Sequence, residues 1–82
     1  MKIYAFNGKS NLVGERVRQR RNELKLSQTD LAAQLQIQGV RIEQDAISSI
    51  ELGDRFVADF EALYLSKVLK VDLMWLLTGE ES

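Results

Sequence analysis

Apolar side chains recur every three or four residues along five stretches of this chain, and this spacing predicts an all-α fold of five helices. The predicted helices cover residues 11–24, 27–37, 44–51, 59–69 and 71–79. The fourth helix is the richest in apolar side chains, and we therefore expect it at the centre of the core. Those side chains are Phe60, Leu63, Leu65, Val68 and Leu69.

Residues that stabilise helix ends stand at the borders of these stretches. Ser27 and Asp30 have the spacing at which a hydroxyl and an acid satisfy free backbone N–H groups at a helix start. Asn11 and Asp59 are suitable caps before the first and fourth helices. Gly53 is suited to a left-handed C-cap after the third helix. These signals support the helix borders that the apolar spacing indicates.

The third predicted helix has an apolar back and a polar front. The apolar positions are Ala46, Ile47 and Ile50. The other side of the helix carries amide, carboxylate and hydroxyl groups, from Gln44, Asp45, Ser48 and Ser49. A short helix with such a front is the type of element that reads base edges in a DNA major groove.

Between residues 27 and 55 the sequence resembles the helix-turn-helix of the XRE (Cro and phage-repressor type) DNA-binding family. SQTDLA followed by ISSIELGDR is similar to the family pattern S/T-Q-x-x-L-A, a turn, and I-S-x-x-E-x-G. The matching residues are Ser27, Gln28, Leu31, Ala32, Ile47, Ser48, Glu51 and Gly53. The resemblance implies a five-helix, lambda-repressor-like domain at 11–79 with its helix-turn-helix core at 27–51. An N-terminal extension at 1–10 and a short tail at 80–82 would flank it.

We expect seven polar residues at a DNA interface, six from the same resemblance and Arg41 from its position just before the third helix. Those expected at base edges are Gln44, Asp45 and Ser49. Those expected at phosphates are Gln28, Arg41, Ser48 and Arg55. An amide such as that of Gln44 can bond an adenine in bidentate fashion. The alternatives are that Gln28 is only a polar residue of a first helical turn, and that Arg55 pairs at the surface with Asp54 or Asp59.

An arginine interrupts the apolar face of the first helix. Val13, Val17 and Leu24 share this face with Arg21. A buried guanidinium is costly without an acidic partner. The resemblance supplies one, since Arg21 and Glu51 match positions that form a buried ion pair in the family. We expect this pair to tie the first helix to the end of the third.

The connection between the second and third helices is longer than the compact phage-type turn. Its extra segment, QIQGVRI, extends the second helix through Ile37 and breaks it at Gly39. We expect Ile37, Val40 and Ile42 to pack back on the core. Arg41 stands just before the third helix, where its side chain can reach a phosphate.

Charge is distributed unevenly along a chain whose net charge is −1. Residues 1–30 carry seven basic and three acidic residues, and residues 31–82 carry four basic and nine acidic ones. Binding to phosphates needs a basic face rather than a basic total. Glu43 and Asp45 place two acids at the start of the third helix, where they would repel phosphates. The helix dipole, in contrast, stabilises acids at that position.

Several classes of protein are excluded or disfavoured by what the sequence lacks. The chain has no cysteine and no histidine, which excludes disulfides, thiolate metal sites and imidazole ligands. No apolar run approaches the roughly 18 residues of a membrane span, and no signal peptide is evident at the start. We therefore expect a cytoplasmic protein without a cofactor or metal. The sequence shows neither a nucleophile paired with a general base nor a phosphate-binding loop. Nothing in it therefore indicates an enzyme.

The two ends of the chain offer contacts of a different kind. Residues 2–6 can extend as a short strand before the turn signal Asn7-Gly8. This segment is either a frayed tail or a contact with a partner subunit or DNA, in which case Lys9 is the residue nearest a phosphate. The closing segment VDLMWLLTG resembles the end of the family domain, through which related repressors dimerise. Its candidates for a dimer contact are Leu73, Met74 and Trp75.

Two functions follow from these features. The first is a sequence-specific transcriptional regulator, a repressor that binds a two-fold operator as a homodimer. The second is a protein-interaction module of the same fold, an adaptor or antitoxin-like domain with weak or no DNA binding. The acids Glu43 and Asp45 favour the second, and the polar front of the third helix favours the first.

Overall fold

The computed structural model describes residues 6–80, and within this range the chain forms five α-helices. They are α1 (Gly14–Glu23), α2 (Gln28–Ile37), α3 (Gln44–Leu52), α4 (Asp59–Leu69) and α5 (Leu73–Thr78). The all-α architecture predicted from the apolar spacing is confirmed. The strand expected over residues 2–6 lies almost wholly outside the described residues.

The core lies where α1, α2 and α3 pack against α4. Leu65 and Leu69 of α4 are fully buried, and so are Val17 of α1, Leu35 of α2 and Ile47 of α3. Each of these helices has one apolar stripe, and burying the stripes against one another removes them from water. The shared core fixes the position of α3 relative to α1 and α2.

Three apolar side chains expected in the core are exposed, one at the end of α2 and two on α4. Ile37 is 81% exposed, whereas Val40 and Ile42 of the same connection are buried as expected. Ile37 follows Leu35 by two residues, which places it about 200° round the helix from the buried stripe. Phe60 and Leu63 of α4 are also exposed, because the buried face of that helix passes through Ala62 and Leu65. The expectation of core positions for Ile37, Phe60 and Leu63 was wrong.

The N-terminal turn of α1 lies against the end of α3. Asn11 Oδ1 accepts from the N–H groups of Val13 and Gly14 at 3.1 and 2.9 Å, which is capping of the kind expected at that residue. A Cβ at Gly14 would collide with Ile50 O, so glycine permits this close approach of the two helices. The short distance between α1 and α3 therefore depends on the residue type at position 14.

Two arginines of α1 bind the carboxyl ends of other helices. Arg16 donates from Nε to Leu76 O at 3.0 Å and from Nη2 to Leu77 O at 3.1 Å. Arg20 donates from Nε to Leu69 O at 2.8 Å. The last carbonyls of a helix lack partners within it, and the helix dipole attracts a cation there. Part of the positive charge of residues 1–30 therefore stabilises the fold.

A tight turn precedes α1. Phe6 and Lys9 exchange two backbone hydrogen bonds, of 2.6 and 3.0 Å, across Asn7 and Gly8. Asn7 and Gly8 have φ values of 52° and 78°, which are the left-handed values that a two-residue hairpin turn requires. The hairpin brings Lys9 and the residues after it to the end of α3.

Candidate nucleic-acid interface

Helices α2 and α3 are joined by residues 38–43 and pack directly on each other. Ser27 begins α2 with the expected reciprocal cap, in which Ser27 Oγ accepts from Asp30 N at 2.9 Å and Asp30 Oδ2 accepts from Ser27 N at 3.0 Å. Gly53 ends α3 at φ 83°. Val40 and Ile42 anchor the connection in the core. Together these features define a helix-turn-helix with a lengthened turn.

An ion pair joins α1 to the last turn of α3. Arg21 Nε lies 2.7 Å from Glu51 Oε2, and Arg21 Nη2 lies 3.0 Å from Glu51 Oε1. The side chains are only 11% and 4% exposed. The hydrogen bond to Glu51 raises the pKa of the Arg21 guanidinium, burial opposes this, and the charge of Glu51 raises it further. The third Arg21 nitrogen donates to Leu26 O at 2.8 Å, so the guanidinium is held by three bonds in all.

Gln28 connects this pair to the start of α3. Its Nε2 donates to Glu51 Oε1 at 3.1 Å, and its Oε1 accepts from Gln44 Nε2 at 2.7 Å. One chain of hydrogen bonds thus runs from Arg21 through Glu51 and Gln28 to Gln44. Each member orients the next, because an amide that donates at one end must accept at the other. Because Gln44 Nε2 points towards Gln28, its Oε1 points the other way, and it accepts no hydrogen bond from any residue between 6 and 80.

The polar front of α3 is open in part. Gln44 and Asp45 are exposed, and Ser48 and Ser49 are half-buried. Asp45 Oδ1 accepts from Ala46 N at 2.9 Å, within the first turn of the same helix. Since Ile47 and Ile50 face the core, the polar front is turned towards the outside, as a helix that enters a groove requires.

Charges around the start of α3 are mixed. Arg41, Glu43 and Asp45 are all exposed. Within the described residues Arg41 forms no ion pair, and Glu43 caps α3 without a side-chain hydrogen bond. Two acids and one base therefore surround the residues expected to face DNA. This balance is unfavourable for phosphates, except at Arg41 itself.

Arg55 has a partner that the sequence did not indicate. Its Nη1 and Nη2 lie 2.9 and 3.1 Å from the two carboxylate oxygens of Glu61, so neither Asp54 nor Asp59 holds it as expected. Burial alone would raise the pKa of the Glu61 carboxyl. The hydrogen bonds from Arg55 and from Ala58 N, together with the Arg55 charge, hold the pKa below its usual value. Glu61 Oε1 also accepts from Ala58 N at 3.0 Å, but alanine cannot complete a capping box, so the sequence carried no clear signal for this role.

The expected dimer contact on α5 is only partly accessible. Met74 is 52% exposed, whereas Leu73 and Trp75 are half-buried. Trp75 packs against the core cluster. Phe60 and Leu63 of α4, which contacts α5, are also exposed. The exposed apolar side chains are therefore more numerous on α4 and α5 than the sequence indicated.

Neither a metal centre nor a membrane span is found in the part of the chain that the structure describes. No group of three or more acidic side chains lies close enough together to hold a metal ion there. None of the described helices is long and apolar enough to cross a membrane. The polar groups around α3 are thus the main candidate site of these residues.

Comparison with known proteins assigns the helix-turn-helix to a family. No family model matches the chain. The chain is 38% identical over 73 residues to the HTH-type transcriptional regulator DicA of Escherichia coli (strain K12), a match that covers 89% of this chain and 50% of DicA. It thus spans about half the length of this curated relative.

Solved structures agree with this assignment. The fold is similar to that of the P22 c2 repressor protein, solved in complex with the synthetic operator 9T in the presence of Tl+. The TM-score is 0.71 and the identity 36%, over 85% of this chain and 98% of that chain. The DNA-binding domain of BldD shares the fold, with a TM-score of 0.70 and 22% identity over 89% of this chain and 99% of that chain. The chain therefore belongs to the XRE, or Cro and phage-repressor type, helix-turn-helix DNA-binding family. Its fold is lambda-repressor-like.

Proposed function

We propose that this protein is a sequence-specific DNA-binding repressor that places α3 in the major groove. The observation that carries the proposal is the chain of hydrogen bonds from Arg21 to Gln44, because it holds an exposed amide in one orientation at the start of α3. An amide held in this way can bond the N6 and N7 edge of an adenine. The similarity to the P22 c2 repressor, solved on an operator, supports the same reading.

The roles of individual residues are part of the proposal. Base contacts are assigned to Gln44, Asp45 and Ser49. Phosphate contacts are assigned to Gln28, Arg41, Ser48 and Arg55. Arg41 is the best placed of the cations, since it is exposed next to α3, whereas two nitrogens of Arg55 are bonded to Glu61. Arg21 and Glu51 hold α1 and α3 together without touching DNA.

We further propose that the protein binds as a homodimer to a two-fold operator. Each copy then contributes one α3, and half-sites one helical turn apart lie about 34–36 Å from each other. Leu73, Met74 and Trp75 are the proposed contact, supported by the exposure of Met74. No cofactor, metal or catalytic step belongs to this function, and a cytoplasmic location is part of the proposal.

The test is selection of binding sites from a random double-stranded DNA library, followed by footprinting of the selected sequences. We expect one enriched sequence with two-fold symmetry, protected on one face of the DNA duplex. A Gln44→Ala variant should lose preference at one base pair of each half-site, by about 1–3 kcal/mol. Enrichment of no sequence at moderate salt would contradict the proposal.

A protein-interaction module is the second candidate function, and Glu43 and Asp45 favour it. Both acids are exposed at the start of α3 and would lie near phosphates if α3 entered a groove. Glu43→Gln separates the two functions, since it removes one of the two repulsive charges at almost constant shape and Glu43 is assigned no contact with DNA. A repressor should gain DNA affinity several-fold through this change. A module that uses the acids to bind a basic protein should show no DNA binding in either form.

A further inference from the structure

The carboxyl end of α3 is bonded to the residues that precede α1. Asn11 Nδ2 donates to Ile50 O at 3.1 Å and to Arg55 O at 2.8 Å. Ser10 N donates to Gly53 O at 2.7 Å, and Lys9 Nζ donates to Leu52 O at 3.3 Å. A helix ends with carbonyl groups that have no partner within it. Here a distant segment supplies the donors, and we call Lys9, Ser10 and Asn11 the α3 clamp.

Packing strengthens this connection. The methylene groups of Lys9 cover Gly53 so closely that a Cβ there would collide with Lys9 Cδ. Gly53 has a φ of 83°, which favours glycine, whereas the flexible Lys9 side chain could move aside for a Cβ. The hairpin of residues 6–9 brings the Lys9 side chain to this position. The α3 clamp thus combines hydrogen bonds with an apolar contact.

The two ends of α3 are therefore held by different parts of the chain. The Gln44–Gln28 bond holds the start, and the α3 clamp holds the end. A helix that reads base edges must keep its depth and angle in the groove, because a displacement of about 1 Å is enough to spoil directional hydrogen bonds. The core and the Arg21–Glu51 pair hold the inner face of α3, and the α3 clamp adds bonds to the carbonyl groups at the end of the helix.

We propose that the α3 clamp positions the recognition helix for DNA, with Asn11 as its principal positioning residue. This inference rests on the proposed function. Asn11 contacts no DNA in this scheme and acts through the position of α3. Its loss should therefore lower affinity without changing the number of phosphate contacts, and so without changing the slope of log affinity against log salt.

The oxygen and the nitrogen of the Asn11 amide bond different helices, so their roles can be tested separately. Oδ1 caps α1, and Nδ2 bonds the end of α3. Asn11→Asp keeps the capping oxygen and removes the donor. Asn11→Ser keeps a capping hydroxyl that is too short to reach α3 and adds no charge. The matched controls are Asn22→Asp and Asn22→Ser, because Asn22 is an exposed asparagine at the other end of α1.

Two quantities are measured on the full chain, with a selected DNA duplex as probe. One is the dissociation constant across a range of salt. The other is amide hydrogen exchange at Gly53 and Asp54, whose N–H groups close the end of α3, compared with Leu65 in α4. We expect both Asn11 variants to bind about tenfold more weakly at unchanged salt slope and to exchange faster at Gly53 and Asp54 only. The Asn22 variants should behave as wild type.

Each outcome decides one question. Unchanged exchange at Gly53 and Asp54 in Asn11→Ser would overturn the clamp, whatever happens to DNA binding. Faster exchange with unchanged affinity would overturn its positioning role. Failure of the wild-type protein to bind any DNA would refute the proposed function instead, and the exchange measurement would still decide the clamp. Should Asn11→Asp not fold, the uncharged Asn11→Ser variant carries the test.

Discussion

Gln44 Nε2 donates a hydrogen bond to Gln28 Oε1 at 2.7 Å, so a residue of α2 determines how the first residue of α3 presents its amide. Gln28 is itself oriented by Glu51, to which its Nε2 donates. The proposed base contact is therefore prepared before DNA arrives, which reduces the entropy lost on binding. The same bond gives Gln28 a role beyond the phosphate contact expected from the sequence.

Gln28→Ala should weaken operator binding by about 1–3 kcal/mol. The free Gln44 side chain must then be ordered by DNA alone, so preference at its base pair should decline with affinity. In a double-mutant cycle Gln28→Ala and Gln44→Ala should be non-additive, because each removes the same Gln44–Gln28 hydrogen bond. Gln34→Ala, at an exposed glutamine later in α2, is the control for loss of an amide. Additive effects in the cycle would argue against the coupling.

The Arg21–Glu51 pair should contribute strongly to stability. Glu51→Ala leaves the Arg21 guanidinium buried with only its bond to Leu26 O, and such a loss typically costs about 3–5 kcal/mol. Glu23→Ala is the matched control, since it breaks an exposed pair with Arg20 that is worth about 0–1 kcal/mol. Urea unfolding monitored by Trp75 fluorescence measures both values. Equal losses in the two variants would mean that burial of the pair has little energetic effect.

The sequence was sufficient for features that depend on local signals. The caps at Ser27 and Gly53 and the helix borders of α2 and α4 follow from neighbouring residues, and the structure has them. These caps and borders are recognisable because the chemistry that fixes them lies within one or two helical turns. The Arg21–Glu51 pair joins residues of different helices and was recognised from the family pattern instead.

Other features depend on contacts between distant residues and were missed. Arg16 and Arg20 bind carbonyl groups of α5 and α4, and a carbonyl acceptor leaves no mark in the sequence. The exposure of Ile37 was misjudged because an apolar residue at a helix end can fall on either face. Lys9 was considered only as a possible phosphate neighbour, and the bond from its ammonium to Leu52 O was not foreseen.

Arg41→Ala should weaken binding to all DNA sequences alike. Arg41 is exposed beside α3 and has no ion pair within residues 6–80. If it neutralises one phosphate, its removal lowers the slope of log affinity against log salt by about 1. Arg18→Ala removes the same charge from the exposed face of α1 and serves as control. A slope that changes equally in both variants would indicate a general charge effect and no contact by Arg41.

Acid should destabilise the protein in part through Glu61. Its pKa is lower in the folded chain than its usual value, whereas the unfolded carboxyl titrates at about 4.3. The unfolded state therefore binds more protons as the pH falls below that value, so the stabilisation is complete above about pH 5 and is lost as the pH falls through the folded pKa. Glu61→Gln should lower the free energy of unfolding at pH 7 by about 1–3 kcal/mol and flatten its acid dependence.

Measurement of urea unfolding between pH 7 and pH 3 checks this expectation. Glu15→Gln is the control, because Glu15 is exposed on α1 and forms no ion pair with any described residue. If Glu61→Gln retains the acid dependence of the wild-type protein, then the Arg55–Glu61 pair is not the source of that dependence.

Met74→Glu should convert the proposed homodimer into monomers. Met74 is 52% exposed on α5, so a charge there need not disturb the core of one copy. A carboxylate at an apolar contact between two copies, however, would lose its water and weaken the contact. Sedimentation equilibrium should show weaker self-association, and binding to a single half-site should persist. Ile37→Glu, at an apolar residue of α2 that is 81% exposed, introduces the same charge away from α5 and should leave the dimer intact. A reversed result, with Ile37→Glu dissociating the dimer and Met74→Glu leaving it unchanged, would move the contact from α5 to the end of α2.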